Sequence, residues 1–403
     1  MSFLSIQPDL ETLFSPDTIR NQSQKIFDLC QKGKTHFSFH PENWDSVIDK
    51  VEETIKTNYP DLKIPEHGRM VHLNAGGINR TNSFFLGLGA IRDKEKAMAL
   101  FDLIITSVLL DAGAGKDWSY QEEGGRVYKR SEGLGVASFH TFISGAFSDM
   151  GTSEATGKGL KNFSEDDLEG HFQVNKKNPL LGIKGRVKLI QNLGNEILSQ
   201  PEIFPNQRPS GLLMTLEKHF GQNLKASQIL KGILVTFGEI WPGRIQYQGK
   251  NLGDVWHYPS FSKEQNLNSL IPFHKLSQWL TYSLFPAFKL YGFRIQEPEK
   301  LTGLPEYRNG GLFIDTGLIR LRDHSLTGLE HPAESPLIIE WRALTISLLD
   351  QLAPRIRQRM QLPNLTMPEI LEGGTWWAGR FLAKELRPEG TPPLKLKSDG
   401  TVF

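Results

Sequence analysis

Cysteine is almost absent from this chain: Cys30 is the single one. A lone thiol forms no internal disulfide and builds no thiolate zinc cluster, which fits a reducing, cytosolic setting. Net charge is equally scarce, because 46 Lys and Arg against 45 Asp and Glu leave a formal +1 over 403 residues. That balance excludes a broadly basic nucleic-acid coat and disfavours electrostatic adhesion to a membrane. No apolar run reaches the roughly 18 residues that suggest a bilayer span. The longest, Leu103–Leu110, is interrupted by Thr106 and Ser107. The opening MSFLSIQPDLETLFSP lacks the basic-then-apolar order of a signal peptide. HExxH and GxSxG are also missing, and the histidines form no tight pair, so neither a metal nor a cofactor is expected. Gly151–Gly159 has one residue too many between its glycines for a phosphate loop, and glycine where Ser or Thr would hold magnesium. It reads as a flexible loop.

What the chain does have is helical periodicity. Hydrophobic residues make up 38% of it, enough for a packed core. Trp44, Val47, Ile48, Val51 and Ile55 form one stripe at spacings of three and four. Lys94–Leu110, Gly133–Phe147, Lys184–Leu198 and Ser210–Phe220 read the same way. So do Pro272–Phe288, Pro336–Leu352 and Pro368–Leu386, each with proline placed to open it. Ser164 followed by three acidic residues caps a further helix through Phe172. Strand signals are confined to a small hairpin within Arg244–Gly253, and Leu312–Ile314 is too short to classify. Without βαβ alternation a doubly wound sheet is disfavoured. The expected fold is mainly α, with at most a small β element. It is one large unit over 1–403, divisible into lobes near 1–160 and 161–386, with an extended tail at 387–403.

Three stretches are unexpectedly dense in aromatic and charged residues: Asp111–Glu132, Asp254–Trp279 and Leu301–Asp315. Lys275 lies off the apolar stripe of its helix, and by spacing alone its amine snorkels to solvent. Glu306 and Arg308, followed by two glycines, read equally well as a solvated turn. Trp118 reads as a half-buried packing aromatic or a wall of a site. Cys30 reads best as a buried small hydrophobe.

The same stretches carry a resemblance. DAGAGKDWSYQEEGG, RSEGLGVASF, LGDVWHYPS, IPFHKLSQWLTYSLF and LTGLPEYRNGGLFIDTGLI resemble signature blocks of the uracil-catabolism protein family of fungi and bacteria. They recur in order over roughly the central two-thirds of the chain. That family is associated with a pathway releasing urea through a ribosylurea intermediate. More distantly, the chain resembles the queuosine-5′-phosphate salvage N-glycosylases, which are similar to helix-hairpin-helix DNA glycosylases. Their Lys-Arg-Ala-Gln helix is matched by Lys275-Leu276-Ser277-Gln278, and their LT…ADYRVPQ segment by Leu301-Thr302…Pro305-Glu306-Tyr307-Arg308. Their following Glu…Arg-Ala helix is matched by Glu340-Trp341-Arg342-Ala343, and the run Leu180–Leu193 and Trp118 also correspond. The catalytic Asp becomes Glu306, one methylene longer, and Val-Pro-Gln becomes Asn309-Gly310-Gly311, implying a different turn after it.

The resemblance implies an N-glycosyl hydrolase with a helix-hairpin-helix body, acting on ribosylurea or its 5′-phosphate as its small-molecule partner. Cleaving a ribosyl C–N bond develops positive charge near C1′, which a carboxylate stabilises while the leaving nitrogen is protonated. Glu306 and Lys275 carry the catalytic roles in this reading. Trp118, Trp256 and Tyr307 would wall the sugar; Arg130, Glu132, Asp254 and Arg308 would supply polar contacts. Two other classes stay open: a nucleic-acid glycosylase, against which the +1 charge counts, and a non-catalytic assembly factor, which would present a flat apolar patch.

Overall fold

The computed structural model describes residues 4–111, 113–241, 244–387 and 389–397. The longer helices are α1 (Pro16–Gln31), α2 (Trp44–Asn58), α3 (Asp93–Leu109), α4 (Arg130–Ile143), α5 (Ile183–Ser199), α6 (Gly211–Phe220), α7 (Ala226–Phe237), α8 (Lys275–Tyr291), α9 (Tyr307–Asp315), α10 (Pro336–Met360) and α11 (Trp376–Leu386). The strands among the described residues are two or three residues long and pair only two by two, so the fold is mainly helical. The expected hairpin is one of these pairs, Gln246–Tyr247 against Lys250–Asn251. Among the described residues no helix is long and apolar enough to cross a membrane.

The chain forms two units that interleave in sequence: residues 1–5, 68–253 and 280–298 in the first, and 6–67, 254–279 and 299–403 in the second. The lobe boundary read near residue 160 falls inside the first unit. That unit gathers around α3, whose buried face runs from Ala97 to Leu109 and includes a fully buried carboxylate, Asp102. Asp102 accepts from the Ser210 N–H at 2.8 Å and from Arg208 at 2.6 and 2.7 Å, so its charge is paired where water cannot reach it.

The second unit is built on α10, packed against α1 and α2. Ser335 caps its N-terminus and Pro336 occupies its first turn, where a missing N–H costs nothing. Ile19 and Ile26 of α1 and Ile339, Ala343 and Ile346 of α10 share one core with Trp256, Tyr258, Ile271 and Phe273. Cys30 of α1 is also buried, its thiol pushed up by desolvation. Two strand pairs tie distant segments together: Phe37–Phe39 with Ile319–Leu321, and Glu330–Pro332 with the tail strand Lys395–Lys397.

Pro272 does not open α8 as its position suggested. It pairs as a strand with Val255, and the helix begins at Lys275. Asp254, 21 residues upstream, sets that start by accepting from the Lys275 N–H at 3.0 Å.

Candidate active site

The segment Leu301–Asp315 is no solvated turn. Glu306 caps α9, its Oε1 accepting from the Asn309 N–H at 2.5 Å. Glu306 is 6% exposed and Arg308 7%, because the helix start is pressed between α10 and α11. The two glycines explain the departure from Val-Pro-Gln. A Cβ at Gly310 would sit 2.7 Å from both Trp341 and Thr345 of α10, so only glycine lets α9 lie this close. From the other side, Gly379 of α11 lies on the Arg308 carbonyl, 2.1 Å from where its own Cβ would be.

The loop entering α9 is held from two directions. Arg20 of α1 donates to the Leu301 carbonyl at 2.7 Å and to Asp350 at 2.8 Å. Gln278 of α8 exchanges bonds with Thr302, accepting from its N–H at 2.9 Å and donating to its hydroxyl at 2.7 Å. Asn309 then donates to the Leu304 carbonyl and accepts from Thr375. These bonds fix the carboxylate of Glu306 on a rigid frame, and its second oxygen, Oε2, accepts no hydrogen bond from a described residue.

Arg308 is the unusual neighbour. Its Cζ lies 3.9 Å from the Trp376 ring centre and 5.5 Å from that of Tyr307. Its Nη1 is buried without a hydrogen-bond partner, and none of the described carboxylates pairs with its guanidinium. Cation–π contact on Trp376 offsets part of the lost hydration. A guanidinium held this way, two residues from a buried carboxylate, is a ready-made acceptor site for an anion.

Asp254 and Trp256 have structural tasks. Arg342 grips Asp254 with two bonds of 2.7 Å and lies over the Phe273 ring, while the Trp256 Nε1–H donates to the same carboxylate at 2.7 Å. Arg342 and these hydrogen bonds outweigh burial and hold the Asp254 carboxyl well below the usual carboxylate range. With both oxygens engaged, Asp254 orients α8 and Lys275. Lys275 itself is half-buried at the first position of α8. His274 just before it takes a left-handed backbone, φ +46°, with Nε2 donating to the Leu13 carbonyl. That strained residue turns the chain from strand into helix.

Glu306, Lys275, Asp254, Trp256, Tyr307 and Arg308 therefore belong to one unit. Trp118, Arg130 and Glu132 belong to the other. Trp118 is fully buried there, stacked on Phe172 and donating to its carbonyl at 3.0 Å, which is the behaviour of a packing aromatic. Arg130 opens α4 with a left-handed φ of +55° and is exposed, and Glu132 follows it in the first turn.

The sequence reading overlooked a second cluster beside α9. The helical run before α11 contains one π turn, Leu371–Thr375. Glu372 in that turn is bonded to His67 Nδ1 at 2.6 Å, and Tyr59 reaches its other oxygen at 3.4 Å. The His67 ring lies 5.9 Å from Trp376 and 6.4 Å from Trp279 of α8. A Gly-Gly pair inside a helical pattern, Gly373-Gly374, was the available signal, since such turns mark functional positions unusually often. Among the described residues no group of three or more His, Cys, Asp or Glu side chains could hold a metal ion.

The profile of the family described as "Protein of unknown function (DUF1688)" matches residues 12–403. Uracil catabolism protein 4 of Lachancea kluyveri is 37% identical over 430 residues, covering 96% of this chain and 98% of its own. Protein urg3 of Schizosaccharomyces pombe is 36% identical over 406 residues, covering 97% of this chain and 98% of its own. With nearly the whole chain matched, the protein belongs to the DUF1688 family, the uracil-catabolism family that its signature blocks resemble.

Proposed function

We propose that the protein acts in uracil catabolism by hydrolysing the N-glycosidic bond of a small ribosyl compound, ribosylurea or its 5′-phosphate, releasing urea and ribose or ribose phosphate. One observation carries the reading: a buried carboxylate with an unengaged oxygen, Glu306, sits two residues from a buried guanidinium with no acceptor of its own, Arg308. The name of the Lachancea relative supports the pathway, and the match of the Glu306 segment to the queuosine-phosphate glycosylases supports the reaction.

In this reading the Glu306 Oε2 faces C1′ as the C–N bond lengthens. It stabilises the oxocarbenium charge and orients the attacking water, as carboxylates do in glycoside hydrolysis. The bond from Asn309 fixes the carboxylate so that little reorganisation accompanies the reaction. Arg308 pairs with the 5′-phosphate where the substrate carries one, and Trp376 backs the guanidinium and excludes water. Lys275 adds a second cation at the start of α8. A nucleic-acid substrate is disfavoured because the near-zero net charge offers little of the phosphate attraction that duplex binding needs.

Purified protein incubated with ribosylurea and with its 5′-phosphate tests this by mass spectrometry of the products. Urea with free ribose or ribose phosphate is the expected outcome, and its loss in Glu306→Gln assigns the carboxylate. No product from either compound refutes the reaction.

A further inference from the structure

Resting on the reaction proposed above, we propose that His67, oriented by Glu372, is the acid that protonates the leaving nitrogen. Glycosidic cleavage needs two groups: one for the developing charge at C1′ and one for the departing nitrogen, which leaves poorly without a proton. Glu306 supplies the first. The second must be a proton donor on the same side of the unit, with one atom fixed and another available.

His67 meets these requirements. Its backbone N–H is tied to the Pro368 carbonyl at 3.0 Å, just ahead of the π turn. Its Nδ1–H donates to Glu372, a carboxylate being able only to accept, at a short 2.6 Å. That bond fixes the ring orientation and aims Nε2 away from the carboxylate. No described residue hydrogen-bonds Nε2. Glu372 makes this pairing from within the π turn. The turn's glycines let it press against Val51 of α2 and Ile64, each closer than 3.0 Å to the Cβ that glycine lacks.

Trp376 links this dyad to the rest of the site. One ring contacts both His67 and the Arg308 guanidinium, and Trp376 follows Thr375, which bonds Asn309 in the cap that holds Glu306. None of the three acting groups is sealed completely: His67 is 4% exposed, Glu306 6% and Arg308 7%, whereas Asn309 and Thr375 between them are 0%. A contrasting pair shows what a purely structural version looks like. His36 also bonds a buried glutamate, Glu340, which like Glu372 also meets a tyrosine, yet one Glu340 oxygen takes both the His36 backbone N–H and its Nδ1, and the His36 side chain is 41% exposed. That arrangement locks the edge of a strand and faces solvent.

The proposed step balances as follows. The C1′–N bond breaks with its electron pair going to nitrogen, which takes the Nε2 proton of the His67 imidazolium. Water adds to C1′ and gives a proton to Glu306, which passes it to solvent. His67 regains a proton from solvent, so the net change is the addition of one water. The charged and titratable groups around the ring are Glu372 and Tyr59 on its Nδ1 side, Arg308 and Arg380 on Trp376, Glu66 beside it in the chain and Lys275 one turn before Trp279.

The test compares two leaving groups in the full chain. Ribosylurea, or its 5′-phosphate, needs a proton on the departing nitrogen; a 4-nitrophenyl riboside with the same sugar departs without one. His67→Gln is expected to lower kcat on the urea substrate by about 10²–10⁴, the usual contribution of a general acid, and to change nitrophenolate release by less than about tenfold. Glu372→Gln, a positioning variant, is expected to give a smaller loss with the same selectivity. His67→Gln should also lose the alkaline limb of the wild-type pH–kcat profile on the urea substrate, whereas Glu372→Gln, which keeps the imidazole, should retain it. Equal losses on both substrates, or none on either, overturn the role of His67 while leaving the reaction standing. Wild-type protein inactive on both overturns the reaction, and the proton donor with it. The nitrophenyl assay also reports on folding, so a collapsed variant is not mistaken for a lost acid.

Discussion

Replacing Asp254 with Asn removes one charge and almost no volume. The buried Arg342, 1% exposed, then loses the carboxylate that grips it with two 2.7 Å bonds. An amide still accepts one bond from Arg342, or from the Trp256 indole or the Lys275 N–H, but not all of them, and it does not neutralise the guanidinium. Breaking a buried ion pair from one side costs about 3–5 kcal/mol. For a cooperative unit of 150–250 residues, at about 2–4 °C per kcal/mol, that lowers Tm by about 6–20 °C. The pH dependence follows from the depressed carboxyl. Because Asp254 titrates lower in the folded protein than in the unfolded chain, its contribution is complete above the ordinary carboxylate pKa of 3.8 and fades as pH falls through the folded value. Wild-type protein therefore loses more stability than the variant on acidification below about pH 4. Calorimetry of wild type, Asp254→Asn, Arg342→Met and the double variant closes the cycle. The double variant should recover much of the loss, since removing both charges leaves neither stranded. A single-variant loss below about 1 kcal/mol, the range of exposed pairs, refutes the buried-pair argument.

Glu306→Gln should cut turnover about 10²–10³-fold while keeping the cap on Asn309, so that Tm stays within a few degrees; Glu306→Ala should lower both, by about 1 kcal/mol for the lost cap. Equal turnover in Gln and wild type would remove Glu306 from the chemistry. Arg308→Met should raise KM for the 5′-phosphate about 10–150-fold, the worth of one charged hydrogen bond, and leave stability unchanged or improved, because the guanidinium is buried without an acceptor. A large fall in Tm would mean that Arg308 is a structural residue. Gly379→Ala places a methyl 2.1 Å from the Arg308 carbonyl and should cost at least about 1–3 kcal/mol in urea unfolding; a neutral result would show that α9 and α11 separate freely.

Much of the helical body was legible because burial repeats every three or four residues. Trp44–Ile55 and Lys184–Leu198 were read within a few residues of α2 and α5. Helix α1 was passed over since its inward face carries Gln22 and Ser23 among Ile19, Ile26 and Phe27, which breaks the stripe. Gln22 is half satisfied there: its amide donates to the Asn268 and Leu270 carbonyls, the latter 248 residues away, while its Oε1 is buried without a hydrogen-bond partner. The start of α8 was misplaced for the same kind of reason, its cap being Asp254. Within the site, Lys275, Glu306 and Arg308 stood out by composition and resemblance, but their burial did not, because charged residues followed by Gly-Gly read as a turn. His67 and Glu372 lie 305 residues apart. Each looks like any isolated polar residue until the fold closes, and the division into interleaved units leaves no local trace at all.

That interleaving dictates an order of events during synthesis. The unit holding Glu306 takes its first segment from residues 6–67 and its last from 299 onward. Helices α1 and α2 leave the ribosome with their apolar faces bare and wait for α10, and the Glu330–Pro332 strand waits for Lys395–Lys397. At about 5–20 residues per second the delay between α1 and α10 is tens of seconds, a long exposure for unburied leucine and isoleucine. The nascent chain is thus an expected client for holdase chaperones, and a ribosome stalled between α2 and α8 carries a polypeptide in which the unit holding Glu306 has not yet come into existence.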